Sequence, residues 1–414
     1  MIRFGLFMLG AVFLVGSTSV QAQTDGDVAG DPGPSTANWL FASTFDCFQD
    51  GCQYENAVLR YEATTGAFLG VHIANIEGPT GIAVHPSRGT LLVASRSTNT
   101  VKEFNIRTGV QIRNFVTPNL GGLNLPQAIL FRPNGNLLVT SSQSANNLSA
   151  VNGIIEYDGD DGSLVSVFID GGFYGQNCGD EVCLFGPSAM VYGPNGNLYV
   201  ASTSNDLVIE YNGSTGAYVG SFDSTKLKYP TSIAIRPTGT TRAGNLLVTS
   251  RYRDPAIAND KDKILEFDKT TRNLITTGST FVTNLNKPGP MMWHSTGYLI
   301  VDDRSLTELA PTFADRLAKY NRDTGAFLGN YTAANDARLH QVTGLLAATV
   351  TLGSADDDYD NDDDVDLRDF AHFQHCYQLN GVGSCNTPFD DDLNGTINLA
   401  DASTFTLQMS GPLP

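Results

Sequence analysis

The stretch from Gly186 to Phe222, GPSAMVYGPNGNLYVASTSNDLVIEYNGSTGAYVGSF, decides the fold of this 414-residue chain. It contains four short apolar or alternating runs, and the turns between them include Pro-Asn-Gly and Ser-Thr-Gly. Such runs, bounded by Gly, Pro and Asn, are typical of β-strands joined by turns. The stretch therefore predicts a four-stranded unit, and the same pattern recurs along most of the chain.

Five copies of the unit begin with a proline-containing anchor that predicts the first strand. The anchors are Gly78–Val84, Leu125–Phe131, Gly186–Tyr192, Tyr229–Ile235 and Lys287–Trp293, and successive anchor prolines are 43 to 61 residues apart. Each anchor is followed by a turn and a Gly-x-Leu-x-Val strand, which starts at Gly89, Gly135, Gly196, Gly244 or Gly297. Repeats of about 40–50 residues with four strands each are typical of a β-propeller.

The two ends of the repeat region complement each other. Residues 39–73 form a unit that lacks an anchor, whereas Gln341–Ala347 match an anchor with no unit after it. If residues 341–349 supply the inner strand of the first unit, the chain closes into six blades and removes an open sheet edge. The repeats resemble the NHL family of six-bladed propellers and, more distantly, the senescence-marker/gluconolactonase propellers. This resemblance covers residues 39–350 and implies an all-β, six-bladed propeller.

The amino terminus predicts export. One cation and a short apolar run lead to the small-residue site Val20-Gln-Ala22, which indicates a signal peptide over residues 1–22. A membrane anchor is the alternative, but the apolar run is too short to favour it. Residues 23–38 are small and polar and predict a disordered leader. We therefore expect a secreted or cell-surface protein with no membrane span after signal removal.

Six cysteines fit an oxidising compartment. They form three local pairs, Cys47/Cys52, Cys178/Cys183 and Cys376/Cys385. These pairs predict small-loop disulfides, although six cysteines allow fifteen connectivities. A zinc site is the alternative, and Cys-x4-Cys pairs without nearby histidines argue against it.

The charge of the chain is uneven. The formal net charge is −18, and residues 355–414 contribute −12 of it through thirteen Asp and one Arg. Because a nucleic-acid partner requires a basic face, we expect no nucleic-acid binding.

The acidic segment contains two twelve-residue loops with the spacing of calcium sites. The loops begin at Asp358 and Asp390, follow a short linker (351–355), and each precedes a helix-like run. They offer oxygen ligands at alternate positions, an apolar residue at position 8 and a carboxylate at position 12, which is the EF-hand pattern. A disordered acidic tail is the alternative, but two copies in register 32 residues apart favour a folded module.

Asp at position 12 and a single following helix make residues 356–410 similar to the dockerin type I module. The resemblance implies a small α-helical module with two calcium ions and a cohesin-like or cell-envelope partner. Its ligands would be Asp358, Asp360, Asp362, Asp364, Asp366, Asp369, Asp390, Asp392, Asn394, Thr396, Asn398 and Asp401. Position 6 departs from the pattern in the first loop, where Asp363 replaces the expected glycine, whereas Gly395 keeps it in the second.

Propeller geometry predicts one elaborated face. Long connections at 142–152, 170–185, 251–262 and 302–315, together with the Cys47–Cys52 loop, all belong to the face that carries the second-to-third-strand and blade-to-blade loops. Residues after the second strands of that face are candidates for ligand binding: Arg96, Asn99, Ser142, Thr203, Asn205, Arg251, Arg253, Asp302, Asp303 and Arg304. The Arg and Asp residues suit carboxylate or sugar recognition, and salt bridges between blades are the alternative.

On the opposite face, four basic residues follow the first strands and are expected to be exposed turn residues rather than a cationic ring: His85, Arg132, Arg236 and His294. Glutamates in the third strands are expected to be part of the repeat, away from the axis: Glu103, Glu156, Glu210 and Glu266.

Two classes of function remain open. The first is a secreted binding or scaffold protein with a calcium-dependent docking module, a carbohydrate or protein ligand on the propeller face, and a possible link to polysaccharide breakdown. The second is a lactonase-like hydrolase or lyase acting on a lactone or carbohydrate, which would require a further metal in the channel. The sequence contains neither a Gly-x-Ser-x-Gly elbow nor a His-Glu-x-x-His helix. Whether the chain is an enzyme is left open.

Overall fold

The structure is a computed structural model that describes residues 36–45, 56–143, 147, 150–172, 183–222, 226–240, 242–251, 262–275, 281–303, 316–333, 338–339 and 341–351. Across these ranges the chain forms six four-stranded antiparallel sheets. Two short 3₁₀ turns, Leu120–Gly122 and Thr203–Asn205, lie between strands.

The strands follow one another from the axis outward in every blade. Blade 2 consists of Pro79–Val84 (β4), Leu91–Ser95 (β5), Thr100–Phe104 (β6) and Gln111–Val116 (β7). Blade 3 consists of Ile129–Phe131 (β8), Leu137–Ser141 (β9), Gly153–Tyr157 (β10) and Leu164–Asp170 (β11). Blade 4 consists of Pro187–Tyr192 (β12), Leu198–Ser202 (β13), Leu207–Tyr211 (β14) and Tyr218–Phe222 (β15). Blade 5 consists of Ile233–Ile235 (β16), Leu246–Ser250 (β17), Asp262–Phe267 (β18) and Val282–Leu285 (β19). Blade 6 consists of Met291–Trp293 (β20), Leu299–Asp303 (β21), Arg316–Tyr320 (β22) and Phe327–Asn330 (β23).

Blade 1 closes the ring. It combines the final strand of the propeller, Val342–Thr351 (β24), with Thr36–Thr44 (β1), Ala57–Glu62 (β2) and Phe68–Ile73 (β3), in that order from the axis. The seam is a long antiparallel ladder in which Trp39 lies opposite Ala348. The six-bladed, all-β propeller predicted from the repeats is therefore confirmed. The inner strand of the first blade was predicted at residues 341–349 and is observed at Val342–Thr351. Residues 352–414, including the predicted calcium module, lie outside the described residues.

Apolar side chains fill the space between each pair of neighbouring blades. Six hydrophobic clusters correspond to the six blade interfaces. At the interface of blades 1 and 2, for example, Phe41 packs with Ile82 and Val93. Both sides of each sheet are thus covered, which explains why the second strands of blades 2 to 6 begin with three apolar residues and are buried at all five positions.

The repeated prolines mark a second kind of contact, close to the axis. A Ser or Thr that follows the start of one first strand donates a hydrogen bond to the proline carbonyl of the next blade. The pairs are Thr80 to Pro126 (3.0 Å), Ser188 to Pro230 (3.0 Å), Thr231 to Pro288 (3.1 Å) and Thr343 to Pro79 (2.7 Å). These bonds explain the recurring Pro-Thr and Pro-Ser pairs, because they satisfy carbonyls that the sheets leave free.

A third contact holds the loop that leads into each first strand. Side-chain oxygens near the starts of third strands accept hydrogen bonds from the backbone N–H just before the next blade's anchor proline. The pairs are Asn56 with Gly78 (3.0 Å), Asn99 with Leu125 (2.8 Å), Asp206 with Tyr229 (2.8 Å) and Asp262 with Lys287 (2.5 Å). The residues on the donor side all have a left-handed φ, from 44° to 60°.

The two faces of the ring carry different connections. The insertion face bears the starts of the first strands and the ends of the second strands, and the connections 45–56, 142–152, 171–186, 251–261 and 304–315 join strand ends there. The turn face bears the turns between first and second strands and those between third and fourth strands. One long connection of the turn face, 268–281, was not predicted from the sequence.

The axial hydrogen bonds predict that removing the one at the seam lowers the stability of the propeller. Thr343→Val keeps the shape of the side chain but removes the bond to the Pro79 carbonyl, so we expect the free energy of unfolding to fall by about 1–2 kcal/mol. Chemical denaturation of the two proteins measures this change. Thr349→Val is the control, because Thr349 lies on the same strand and bonds only to the exposed Asn38 side chain. Equal losses in the two variants would contradict the axial role.

Candidate functional site

Residues directly after the second strands lie around the axis on the insertion face. We call the five that the structure describes the mouth ring: Phe45, Arg96, Ser142, Thr203 and Arg251. The backbone N–H groups of Arg96, Ser142, Thr203 and Arg251 each donate to a carbonyl of the loop that leads into the first strand of the same blade, at 2.8 to 3.2 Å. The backbone of the ring is therefore fixed by the repeat, whereas its side chains differ from blade to blade.

Arg96 is the most unusual member of the mouth ring. Its guanidinium carbon lies 5.9 Å from the centroid of the Phe45 ring, and its Nε is buried with no hydrogen-bond partner. Burial lowers the pKa of Arg96, and the Tyr229 phenol opposes that shift. Tyr229 belongs to the loop leading into blade 5, which stands across the ring from blade 2.

Tyr229 was not predicted from the sequence. Its side chain is 54% exposed, and its backbone adopts φ 44°, a conformation that glycine adopts more easily. The Asp206 carboxylate holds it there by accepting the Tyr229 N–H at 2.8 Å, and the other oxygen pairs with Lys228 at 2.9 Å. The one available signal is that glycine occupies the equivalent anchor position at Gly78 and Gly186.

The predicted amide and hydroxyl residues divide into two groups. Thr203 and Asn99 are structural, since Thr203 donates to the Pro230 carbonyl at 2.7 Å and Asn99 accepts the Leu125 N–H. Ser142 Oγ and Asn205 Oδ1 are buried polar atoms without a hydrogen-bond partner, although Asn205 donates through its amide nitrogen to Cys183. Unsatisfied atoms of this kind are rare and call for an explanation.

The two predicted aspartates lie inside blade 6 rather than at its surface. Asp303 is 4% exposed, and its carboxylate accepts from Arg316 at 2.6 Å and from the Asn286 N–H at 2.8 Å. Asp302 is fully buried, and its Oδ2 fills the position that a side chain on Gly289 would occupy. The geometry of both residues serves the packing of the blade.

Several predicted site residues lie outside the described residues. These are Arg253 and Arg304 of the propeller and all twelve predicted calcium ligands between Asp358 and Asp401. Arg251 is described and occupies the mouth-ring position of blade 5. Cys183 is disulfide-bonded, and its partner is not among the residues that the structure describes.

The basic residues of the turn face are buried, so the expectation of exposed turn residues was wrong. His85, Arg236 and His294 are 1%, 2% and 6% exposed. Each side chain donates to a carbonyl in the third-to-fourth-strand turn of the next blade. The bonds run from His85 to Gly159 (2.6 Å), Arg132 to Ser214 (2.8 Å), Arg236 to Asp323 (3.4 Å) and His294 to Ala63 (2.6 Å). On this face the polar side chains are used to join blades.

The third-strand glutamates are part of the repeat, as expected from their positions. Each is at most 4% exposed and pairs with an arginine. The pairs are Glu103 with Arg113 (2.6 Å), Glu156 with Arg132 (2.5 Å), Glu210 with Arg272 (2.8 Å) and Glu266 with Arg242 (2.9 Å). Burial favours a raised pKa for Glu103, but hydrogen bonds from Thr90 and Arg113 hold the pKa below its usual value.

Within the described ranges, no group of three or more His, Cys, Asp or Glu side chains is arranged to hold a metal ion. The same part of the chain has no helix long and apolar enough to span a membrane.

Comparison with known proteins supports the fold. No protein-family model matches the chain, and no curated protein matches it. The propeller is similar to a chain of the crystal structure of a nidogen/laminin complex, with a TM-score of 0.53 and 13% identity over 76% of this chain and 98% of that chain. A chain of hydrazine synthase from Kuenenia stuttgartiensis has a TM-score of 0.44 and 16% identity over 64% of this chain and 70% of that one. At such identities the first match shows the shared fold alone.

Proposed function

We propose that this chain is an exported binding protein whose propeller takes a ligand on the insertion face and whose C-terminal module docks in a calcium-dependent manner. One contrast between the faces carries the propeller part of the proposal. Each of the four basic side chains at equivalent turn-face positions forms a hydrogen bond to the next blade, although Nε of Arg132 and of Arg236 has no partner. The Arg96 and Ser142 side chains of the mouth ring, by contrast, form no hydrogen bond among the described residues. Buried polar groups held rigidly without partners are available to a ligand.

The geometry favours recognition through the rigid mouth ring. The backbone of the ring is fixed by hydrogen bonds to the loops before the first strands, so that little conformational entropy is lost when a ligand binds. The similar propeller chain belongs to a complex of nidogen with laminin, which gives precedent for a protein ligand. The resemblance of the acidic segment to dockerin favours a carbohydrate, and we propose a carbohydrate ligand for this reason.

Export is part of the same proposal. The signal sequence over residues 1–22 would direct the chain out of the cytoplasm, and the disulfide bond of Cys183 fits an oxidising compartment. The proposed location is therefore extracellular or at the cell surface.

A matched pair of charge reversals tests which face binds. Lys287 and Lys269 are both exposed lysines, at the insertion face and the turn face respectively. We expect Lys287→Glu to weaken binding by about fivefold or more, because it alters the rim of the mouth, and Lys269→Glu to stay within about twofold of the parent protein. Ligands are first found on an array of neutral and acidic oligosaccharides, and affinities are then measured by calorimetry.

Two results would contradict the propeller proposal. One is the absence of any ligand on the array, and the other is a ligand whose binding responds to Lys269→Glu and not to Lys287→Glu.

We propose that residues 356–410 form a paired calcium-loop module that binds a cohesin-like or cell-envelope partner. The support is the two loops that begin at Asp358 and Asp390, with oxygen ligands in register. Clustered carboxylates repel one another until cations neutralise them, so the fold of the module would depend on calcium. The proposed contents are two ions, one for each loop.

Chelation tests the module. In calorimetry of the intact chain with calcium, we expect one unfolding transition for the propeller and a second for the module. A chelator should abolish the second transition and leave the first unchanged, because the described propeller residues include no clustered metal ligands. Asp401→Asn should weaken calcium binding more than Asp369→Asn, since Gly395 gives the second loop its sharp turn whereas the first has Asp363. A module transition indifferent to the chelator would contradict the proposal.

A further inference from the structure

Arg96 has no carboxylate partner, in contrast to two arginines of the turn face. Arg132 and Arg236, whose side chains are 10% and 0% exposed, pair with Glu156 at 2.5 Å and with Glu266 at 3.3 Å. Among the residues that the structure describes, no Asp or Glu forms an ion pair with Arg96, and its Nε donates no hydrogen bond.

A buried Nε–H without an acceptor is unfavourable unless something outside the fold supplies one. Withdrawal from water is also the first cause of the lowered pKa of Arg96. The repeat does not require a cation here, since the equivalent positions of blades 3 and 4 are occupied by the small polar residues Ser142 and Thr203. In the sequence, arginine also follows the second strands of blades 5 and 6.

The surroundings of Arg96 are aromatic and polar. The Phe45 ring lies 5.9 Å from the guanidinium carbon, and the exposed Tyr229 ring belongs to the loop that leads into blade 5 on the same face. Ser142 Oγ and Asn205 Oδ1 on the same face also have no hydrogen-bond partner. A ligand that fits this mouth would combine one anionic group, an apolar surface for the rings and hydroxyl groups for the free oxygens.

We propose that Arg96 binds the carboxylate of a uronic acid, as a free sugar acid or at the end of an oligosaccharide, in the mouth ring. The planar guanidinium suits a carboxylate because two parallel N–H groups can donate to its two oxygens. The C–H surface of the sugar ring contacts Tyr229 and Phe45, and sugar hydroxyls donate to Asn205 Oδ1 and Ser142 Oγ. This inference rests on the proposed function and names the class of ligand.

The net charge of the whole protein limits the number of acidic groups that a ligand can carry. The net charge is −18, so a long polyanion is repelled at a distance, whereas a single carboxylate that reaches Arg96 is attracted locally. A single terminal uronate should therefore bind better than a polyuronate of the same sugar at low salt.

The test uses the full chain with calcium and follows binding of galacturonate and glucuronate by ligand-observed NMR. The neutral sugars galactose and glucose and the uronate methyl esters are compared at the same concentrations. We expect Arg96→Gln and methyl esterification each to weaken binding about tenfold or more. Arg96→Lys should retain part of the affinity, since it keeps the charge and loses the planar fork. Arg322→Gln is the matched control on the turn face, where Arg322 donates to the Gly239 carbonyl, and should change binding less than about twofold.

Failure of the uronate site can be distinguished from failure of the proposed function. Equal binding of acid and ester, or no effect of Arg96→Gln in a variant with an unchanged melting temperature, would overturn the uronate site and leave the insertion face as a binding surface. Binding of a short aspartate-containing peptide without binding of either uronate would also overturn it. If no oligosaccharide responds to Lys287→Glu, the proposed function fails first.

Discussion

The structure depends on closure of the ring by β24. A four-stranded blade has two apolar faces and cannot cover either alone, so each blade requires a neighbour on both sides. β24 contributes to two interfaces at once, with Ala348 and Val350 packed toward blade 2 and Val342 packed toward blade 6. Without this strand, blade 1 would lose its inner strand and the interfaces on both of its sides would open. The hydrophobic clusters supply the stability, and the closure makes all six of them possible.

Hydrogen bonds then give the closed ring its two distinct faces. On the turn face, side chains such as His85 and Arg236 bond to the backbone of the next blade and are removed from solvent. On the insertion face the same task is performed by Asn99, Asp206 and their equivalents, which lie beside the mouth ring rather than in it. In the mouth ring, Thr203 keeps a structural hydrogen bond to the Pro230 carbonyl, whereas the Arg96 and Ser142 side chains have none among the described residues. The backbone around the axis is therefore rigid while the side chains there vary, which is the arrangement that ligand recognition requires.

Much of the fold could be predicted because it repeats. The recurring prolines and the Gly-x-Leu-x-Val strands predicted the blades, and the unmatched anchor at Gln341–Ala347 predicted how the ring closes. The axial bonds from Thr80 and Thr343 now explain why the anchor has its sequence. Local spacing carries this information, since within each blade every strand pairs with strands next to it in sequence, except where β24 pairs with β1.

The site was less predictable because its contacts join residues far apart in the chain. The burial of His294 depends on the Ala63 carbonyl, 231 residues away, and no local pattern reveals that contact. Arg96 was found from its position after a second strand, but its relation to Tyr229 arises only when blades 2 and 5 face each other. Asp303 has the same sequence position as the serines that end other second strands, and its pairing with Arg316 became visible only in the folded blade.

The most direct test of ring closure compares two truncated chains, one ending at residue 351 and one ending at residue 340, by amide hydrogen exchange. The account predicts that the first chain keeps slow exchange in all six blades and unfolds in one cooperative transition. The second lacks β24, and it should lose protection in β1 and in the neighbouring blades and melt at a much lower temperature or without cooperativity. Equal protection and equal melting of the two chains would contradict the account, because the blades would then be stable without the closing strand.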